Sequence, residues 1–157
     1  MTPYHIHLQY AEDKTLIPKK SLLRLWAKTA LNRKVESAEI TIRVVNIKEM
    51  SALNKTYRHK EGPTNVLSFP FSTPSDIPIE VPFLGDIVIC ALVVKLEAQE
   101  QNKLTEAHFA HMVIHGVFHL LGYNHETDEE AKIMESLEIE MMQLLGFNNP
   151  YETGKIE

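Results

Sequence analysis

Residues 115–125 read HGVFHLLGYNH, three histidines spaced H-x3-H-x5-H with a glycine three residues after the second. A four-residue step on an α-helix returns to nearly the same face one turn on, so His115 and His119 can both reach one metal ion. Zinc–imidazole bonds need nitrogens at roughly 2.0–2.1 Å, so the third ligand must come from chain that has left the helix and turned back. Gly122 supplies the turn, because a left-handed residue after a helix costs glycine no side-chain clash, and His125 lies just past it. This is the ligand spacing of a catalytic zinc site, HExxHxxGxxH, with one difference. Gly116 stands where a zinc protease carries its glutamate base. Three neutral imidazoles with an open fourth position are the catalytic arrangement, whereas structural zinc is closed by four protein ligands. The single cysteine, Cys90, cannot build a thiolate cage. The expectation is one zinc ion per chain, with nickel or another transition metal also compatible with imidazole.

The same stretch belongs to a core helix. Ala110, Val113, Ile114, Val117, Phe118 and Leu121 form an apolar stripe, and a lone histidine on it would be an ordinary buried histidine. Three at this spacing, with the glycine in register, point to metal. His111 lies one turn before His115; at about 1.5 Å rise per residue it is roughly 12 Å along the axis from His119, too far to share an ion with it. A ligand pair of His111 with His115 stays open, beside a role next to the ligands or lining their pocket, and beside a plain hydrogen-bonded core histidine. His108 is expected at the helix surface.

Working outward, Leu104–Leu121 is this helix, and Thr127 with Glu130 forms a capping box for a last helix reaching about Leu145 and stopping at Gly146. Upstream, residues 5–10, 38–46, 66–71 and 83–90 carry strand patterns, and residues 18–33, about 46–58 and 91–101 helical ones. Asn46 with Glu49 resembles a capping box. The segment STPSDIPIEVP, residues 72–82, is the one long irregular stretch, a candidate edge flap. About four strands and five helices predict a single α/β (α+β) domain over residues 1–157, a mixed sheet with helices packed on it.

Composition is that of an ordinary globular protein, with 44% hydrophobic and 24% charged residues. No apolar run approaches membrane-span length, no signal peptide is evident, and one cysteine fits a reducing compartment; the expected location is the cytoplasm, with no membrane partner. The net charge of −5 conceals a division: residues 1–60 carry +7 and residues 61–157 carry −12. A basic half can meet a polyanion even in an acidic chain. Arg24, Lys28, Arg33, Lys34, Arg43, Lys48 and Lys55 are the candidates for meeting such a polyanion, although charge alone reads more simply as solvated faces.

Without the glutamate, proton transfer from a metal-activated water loses its usual acceptor. A peptide bond also needs its leaving amine protonated, whereas a phosphodiester needs charge stabilised on phosphorus, which a metal and an arginine can supply. Arg58, in YRHKEGPTNVLSFPF, ends a helix ahead of a Gly-Pro turn, and a guanidinium suits bidentate phosphate binding. A plainer role for Arg58 is to complement the negative end of its helix.

HGVFHLLGYNH, LNKTYRHKEGPTNVLSFPF and LGDIVIC together resemble the YbeY family of bacterial metal-dependent endoribonucleases, over about Asn46 to Gly146. The first 45 residues resemble it in general pattern only. Glycine after the first histidine is part of the family pattern. The resemblance implies zinc on His115, His119 and His125, and Arg58 as the arginine acting on RNA. It implies single-strand-specific cleavage in maturation of the 16S rRNA 3′ end and in ribosome quality control, with the small ribosomal subunit as partner and no role on DNA. Glu61, Asn65 and Asn124 stand where the family usually has aspartate, and Cys90 where it often has serine; Asn65 puts any ionic partner of its turn in doubt. Two other classes compete, a metalloprotease-like hydrolase and a non-catalytic zinc-containing ribosome assembly factor.

Overall fold

Alternation in AEITIRVV makes the centre of the sheet. Ile40, Ile42 and Val44 point to one face and are fully buried, and the residues between them point to the other. The computed structural model describes residues 3–11, 16–71 and 81–152. In chain order its elements are β1 (Tyr4–Tyr10), α1 (Lys20–Asn32), β2 (Ala38–Val45), α2 (Ile47–Arg58), β3 (Val66–Pro70), β4 (Phe83–Cys90), α3 (Ala91–Glu100), α4 (Thr105–Leu120) and α5 (Asp128–Leu144). The strands lie in the order β1-β2-β4-β3. β1, β2 and β4 run parallel, and β3 pairs antiparallel along the edge of β4. Among the described residues this is the expected α/β domain, with a mixed sheet of four strands and five helices. Most of the Pro-rich flap, residues 72–80, falls outside the described residues.

Helices cover both faces unequally. On one side α1, α4 and α5 bring Leu23, Trp26, Phe109, Ile114, Phe118 and Met134 against Ile40, Ile42, Ile87 and Ile89. On the other, α2 covers a smaller cluster of Val45, Met50, Leu67, Val88 and Cys90. α4 runs through the larger core and is buried on nearly every side. It therefore holds its polar side chains in fixed places, which suits a site.

The helix ends follow the sequence with one difference. Thr127 and Glu130 make the full reciprocal capping box on α5. Asn46 caps α2 by accepting from the Glu49 N–H at 2.9 Å, but the Glu49 carboxylate turns instead to Arg43, at 2.6 and 2.8 Å. A bidentate charged pair outcompetes one backbone hydrogen bond.

Candidate metal centre

The turn after α4 places the third histidine. Gly122 adopts φ 98°, and the Tyr123 N–H reaches back to the Phe118 carbonyl at 3.0 Å while the Gly122 N–H meets the His119 carbonyl at 3.1 Å. These are the paired bonds of a Schellman stop. Its usual apolar contact is also present, with the Tyr123 ring edge-on to Phe118 at 5.5 Å. The chain reverses here, and His125 returns to the face that carries His115 and His119. Ring centroids stand 4.5 Å apart for His115–His119, 5.0 Å for His119–His125 and 5.6 Å for His115–His125.

The donor set fits a metal ion. One nitrogen from each of the three rings lies within 4.8 Å of the others. The Nε2 atoms of His115 and His119 are 3.1 Å apart, close to the roughly 3.3 Å between two ligands of a tetrahedral ion at zinc–nitrogen bond lengths. Burial, with the neighbouring His115 and His125 rings, pushes the His119 pKa down to about 4. Its imidazole is therefore neutral near pH 7, the form that binds metal.

A second group, His111, His115 and Glu138, also brings its donor atoms within 4.8 Å. It is closed and internally hydrogen-bonded. His111 Nε2 meets Glu138 Oε1 at 2.5 Å, His115 Nδ1 meets Oε2 at 3.0 Å, and the Tyr151 hydroxyl donates to Oε1 at 2.5 Å. Glu138 is fully buried. Burial works to raise its pKa, but the hydrogen bonds from His111 and His115 prevail and hold it at about 2. Burial keeps His111 neutral by lowering its pKa, against the pull of Glu138. Burial and the Glu138 charge raise the pKa of Tyr151. With Glu138's oxygens taken up by three donors, this group faces inward, whereas the three-histidine group faces out. His111 thus lies beside the three-histidine group, sharing with His115 the Glu138 carboxylate.

The outward face is a cleft of about 570 Å³, lined by His115, His119 and His125 on one side and by Tyr57, Arg58 and the strand β3 on the other. Arg58, the last residue of α2, is exposed, and among the described residues no carboxylate pairs with it. The loop beyond it is tied down by Asn54, whose buried amide donates to the Gly62 carbonyl at 2.9 Å. The two sides of the cleft, 57 residues apart in sequence between Arg58 and His115, come from opposite faces of the sheet and meet around the edge strand β3.

Gly116 is explained by packing. A Cβ built there would lie 2.8 Å from Ile87 Cγ2 and within 3.3 Å of two further atoms of that side chain. The position after the first histidine faces β4, away from the cleft, and no glutamate fits it. Ser68 adds a hydrogen bond from its hydroxyl to the Gly116 carbonyl at 3.3 Å.

The family model of Endoribonuclease YbeY matches residues 8–146. The chain belongs to the YbeY family. It is 51% identical over 148 residues to Endoribonuclease YbeY of Nitrosococcus oceani, a match covering 94% of this chain and 97% of the relative. Its fold is that of the solution structure of TM1509 from Thermotoga maritima, with TM-score 0.59, 24% identity, and coverage of 94% of this chain and 99% of the other. The family match reaches back to residue 8, through α1 and β2, so it takes in more of the chain than the Asn46–Gly146 resemblance.

One expectation changes with the structure in hand. His108 is not at the surface: it is 4% exposed, and its Nε2 pairs with Glu97 at 2.8 Å, because α4 packs against α3 on that side. The Asn65 amide donates to the same carboxylate at 3.0 Å, a contact that an aspartate at 65 would turn into repulsion. Burial acts to raise the Glu97 pKa, but these hydrogen bonds outweigh it and the net shift is downward. The basic candidates lie on both sides of the sheet. Arg24, Lys28, Arg33 and Lys34 belong to α1 and its end, and Arg43, Lys48 and Lys55 to β2 and α2 across the sheet. Three are engaged internally: Arg33 with Glu140 at 3.3 Å, Lys34 with the Leu121 carbonyl at 3.1 Å, and Arg43 with Glu49. Lys55 shares α2 with Arg58 and lies 3.8 Å from Glu61.

Sequence reasoning missed Glu138 and Tyr151. For Glu138 a signal existed. It falls four residues after Met134 and three and four before Met141 and Met142, all buried, so an acid interrupts the apolar face of α5. Tyr151 follows the helix in an irregular segment and carries no periodic signal.

Proposed function

We propose that this chain is a metal-dependent endoribonuclease cutting single-stranded RNA. His115, His119 and His125 hold one zinc ion, and Arg58 grips the phosphate under attack. The observation that carries the proposal is the shared cleft, in which Arg58 and the three histidines line one open space around the edge of β3. When bound, the metal supplies Lewis-acid charge and acidifies water. The exposed Arg58 guanidinium is free to make paired hydrogen bonds to phosphate oxygens and to stabilise the extra negative charge on phosphorus as the bond breaks. Beside it Tyr57 is 61% exposed, with its ring set against Phe69 at 5.0 Å. An exposed aromatic offers a stacking surface to an unpaired base, whereas a base within a duplex is already stacked, and this favours single strands.

Membership of the YbeY family and the name of the relative, an endoribonuclease, support RNA as substrate. We further propose that the RNA is 16S rRNA in the small ribosomal subunit, that the reactions are maturation of its 3′ end and quality control, and that they take place in the cytoplasm. Among the described residues no helix is long and apolar enough to cross a membrane. Packing at Gly116 counts against a metalloprotease, since the base of that mechanism has no room.

The deciding experiment incubates zinc-loaded protein with matched single-stranded and duplex RNA oligonucleotides, with and without chelator. Chelator-sensitive cleavage confined to the single strand is expected. No cleavage by folded, zinc-loaded protein, or equal cleavage after full metal removal, would sink the proposal. A cyclic phosphate at the new end would mark the RNA 2′-hydroxyl as nucleophile, and a 3′-hydroxyl with a 5′-phosphate would mark water.

A further inference from the structure

Glu138 is the only carboxylate among the described residues that is completely buried, and it lies directly behind a metal-ligand candidate. An ionised carboxylate only accepts hydrogen bonds, so His111 Nε2, His115 Nδ1 and the Tyr151 hydroxyl must each donate to it. The proton of His115 then sits on Nδ1. Its Nε2, the atom 3.1 Å from His119 Nε2, keeps its lone pair and faces the ligand site. His111 obeys the same rule: its Nδ1 is buried without a partner, which suits a lone pair better than an unsatisfied N–H. The carboxylate is itself held at Oε1 by two donors from different elements, His111 of α4 and Tyr151 from the segment after α5. The Tyr151 ring also stands edge-on to His111 at 5.3 Å.

We propose that Glu138 and Tyr151 are positioning residues of the metal centre: Glu138 locks His115 in the tautomer that presents Nε2 to the ion and sets a negative charge behind it, and Tyr151 fixes the carboxylate. The turn that follows α5 is thereby part of the metal-binding machinery. A buried anion is costly without nearby positive charge. The neutral hydrogen-bond donors around Glu138 offset part of that cost, and a dication on the far side of His115 offsets more. Metal binding and the burial of Glu138 therefore support each other. This inference rests on His115, His119 and His125 being the ligands.

The test is zinc affinity of the full chain, without RNA, by competition with a chromophoric chelator, alongside the melting temperature of each metal-free protein. Glu138→Gln keeps the shape but carries an N–H that must donate. If it donates to His115 Nδ1, the His115 proton moves to Nε2 and blocks the ligand atom. Loss of such an outer partner typically weakens metal binding 10–100-fold, and a loss of about that size is expected here. Tyr151→Phe keeps the ring and removes only the hydroxyl, so a smaller loss in the same direction is expected. A carboxylate that merely joins α4 to α5 would lower the melting temperature of metal-free Glu138→Gln and leave zinc affinity unchanged. Nitrogen-15 NMR of the histidine rings reads the tautomer directly. His115 should carry its proton on Nδ1 in the metal-free wild type and on Nε2 in Glu138→Gln. Wild-type zinc affinity in a folded Glu138→Gln, or an Nε2 proton on His115 in the wild type, would overturn the proposal. If Glu138→Gln does not fold, the wild-type tautomer and Tyr151→Phe decide. Wild-type protein that binds no zinc would bring down the ligand assignment with it, whereas zinc binding without RNA cleavage would count against the endoribonuclease proposal alone.

Discussion

Gly116→Ala measures how closely α4 lies on the sheet. In an unpacked helix the change is favourable, because alanine exceeds glycine by about 1 kcal/mol in helix propensity. Here the new methyl would stand 2.8 Å from Ile87 Cγ2, 3.2 Å from Cδ1 and 3.3 Å from Cγ1. Ile87 cannot easily give way. It is fully buried, and its strand is paired on both sides, opposite Ile42 of β2 and Ser68 of β3. Its Cγ2 is carried on Cβ itself, and β-branched side chains are stiff at χ1. Overpacking a core costs about 1–3 kcal/mol, and three contacts to one confined side chain place this case near the upper end. Set against the propensity gain, the net destabilisation is about 1–2 kcal/mol. With an m-value of about 2 kcal/mol/M, the urea midpoint should fall by about 0.5–1 M. The assay is urea unfolding followed by circular dichroism, in excess chelator so that metal binding does not contribute. Ile87→Ala completes a double-mutant cycle. Alone it should cost about 2–5 kcal/mol, but in its background Gly116→Ala should stabilise, since the added methyl then enters vacated space. A higher midpoint for Gly116→Ala in the wild-type background, or the same effect in both backgrounds, would refute the close packing and the account of why no glutamate stands at 116.

Other outcomes follow from the cleft and its charges. Arg58→Ala should cut single-turnover RNA cleavage by about 10²–10³, by analogy with loss of one transition-state donor, with Arg58→Lys recovering part of it and the melting temperature nearly unchanged; wild-type cleavage by folded, zinc-loaded Arg58→Ala would remove Arg58 from the mechanism. Purified protein should hold about one transition-metal ion per chain by elemental analysis, and the double mutant of His115→Ala and His119→Ala should lose it; full occupancy in that mutant would be incompatible with the ligand set. Zinc at 100 times its dissociation constant should stabilise the protein by about 2.7 kcal/mol, a melting-temperature rise of about 5–11 °C, and no rise would argue against a metal held only by the folded state. Each phosphate neutralised on a single strand contributes about −0.7 to the log–log salt slope. Lys55→Glu, in the last turn of α2 with Arg58, should therefore flatten the slope, whereas Lys28→Glu, across the sheet, should not; the reverse pattern would move the RNA path to α1. Gly116→Glu should yield no casein cleavage, and chelator-sensitive proteolysis by it would revive the protease.

Local rules made much of this chain legible. The period-two burial of β2, the Thr127–Glu130 box and the Gly122 stop depend on neighbours a few residues away, so pattern and chemistry coincide in the sequence. The spacing of His115, His119 and His125 was legible for the same reason, since one helical turn and one Schellman stop decide where the three rings go. What distant packing decides was less legible. His108 reads as a surface residue until α3 brings Glu97 against it, 11 residues back in sequence. The basic residues read as one charged half of the chain, yet the sheet sends them to opposite faces and pairs three of them internally. Gly116 is the sharpest case. As sequence it is a missing base, and in the fold it is the contact that lets α4 approach Ile87.

Two acids bear on that histidine helix, one absent and one displaced. A zinc protease puts its glutamate one residue after the first ligand, on the cleft side, where it can take a proton. Here that position is consumed by packing against β4. The buried acid beside the ligands comes instead from α5, on the inner side, where its oxygens already accept from His111, His115 and Tyr151. Glu138 cannot reach the cleft as a base without giving up those donors, so it acts on the ligand and not on the substrate. Among the described residues the cleft lining is left with Arg58 opposite the histidines, a cation with no carboxylate beside it. Such a site binds and stabilises anionic oxygen better than it removes protons. A phosphodiester, which arrives charged and becomes more so on the way to cleavage, is the bond that such a division of charge serves.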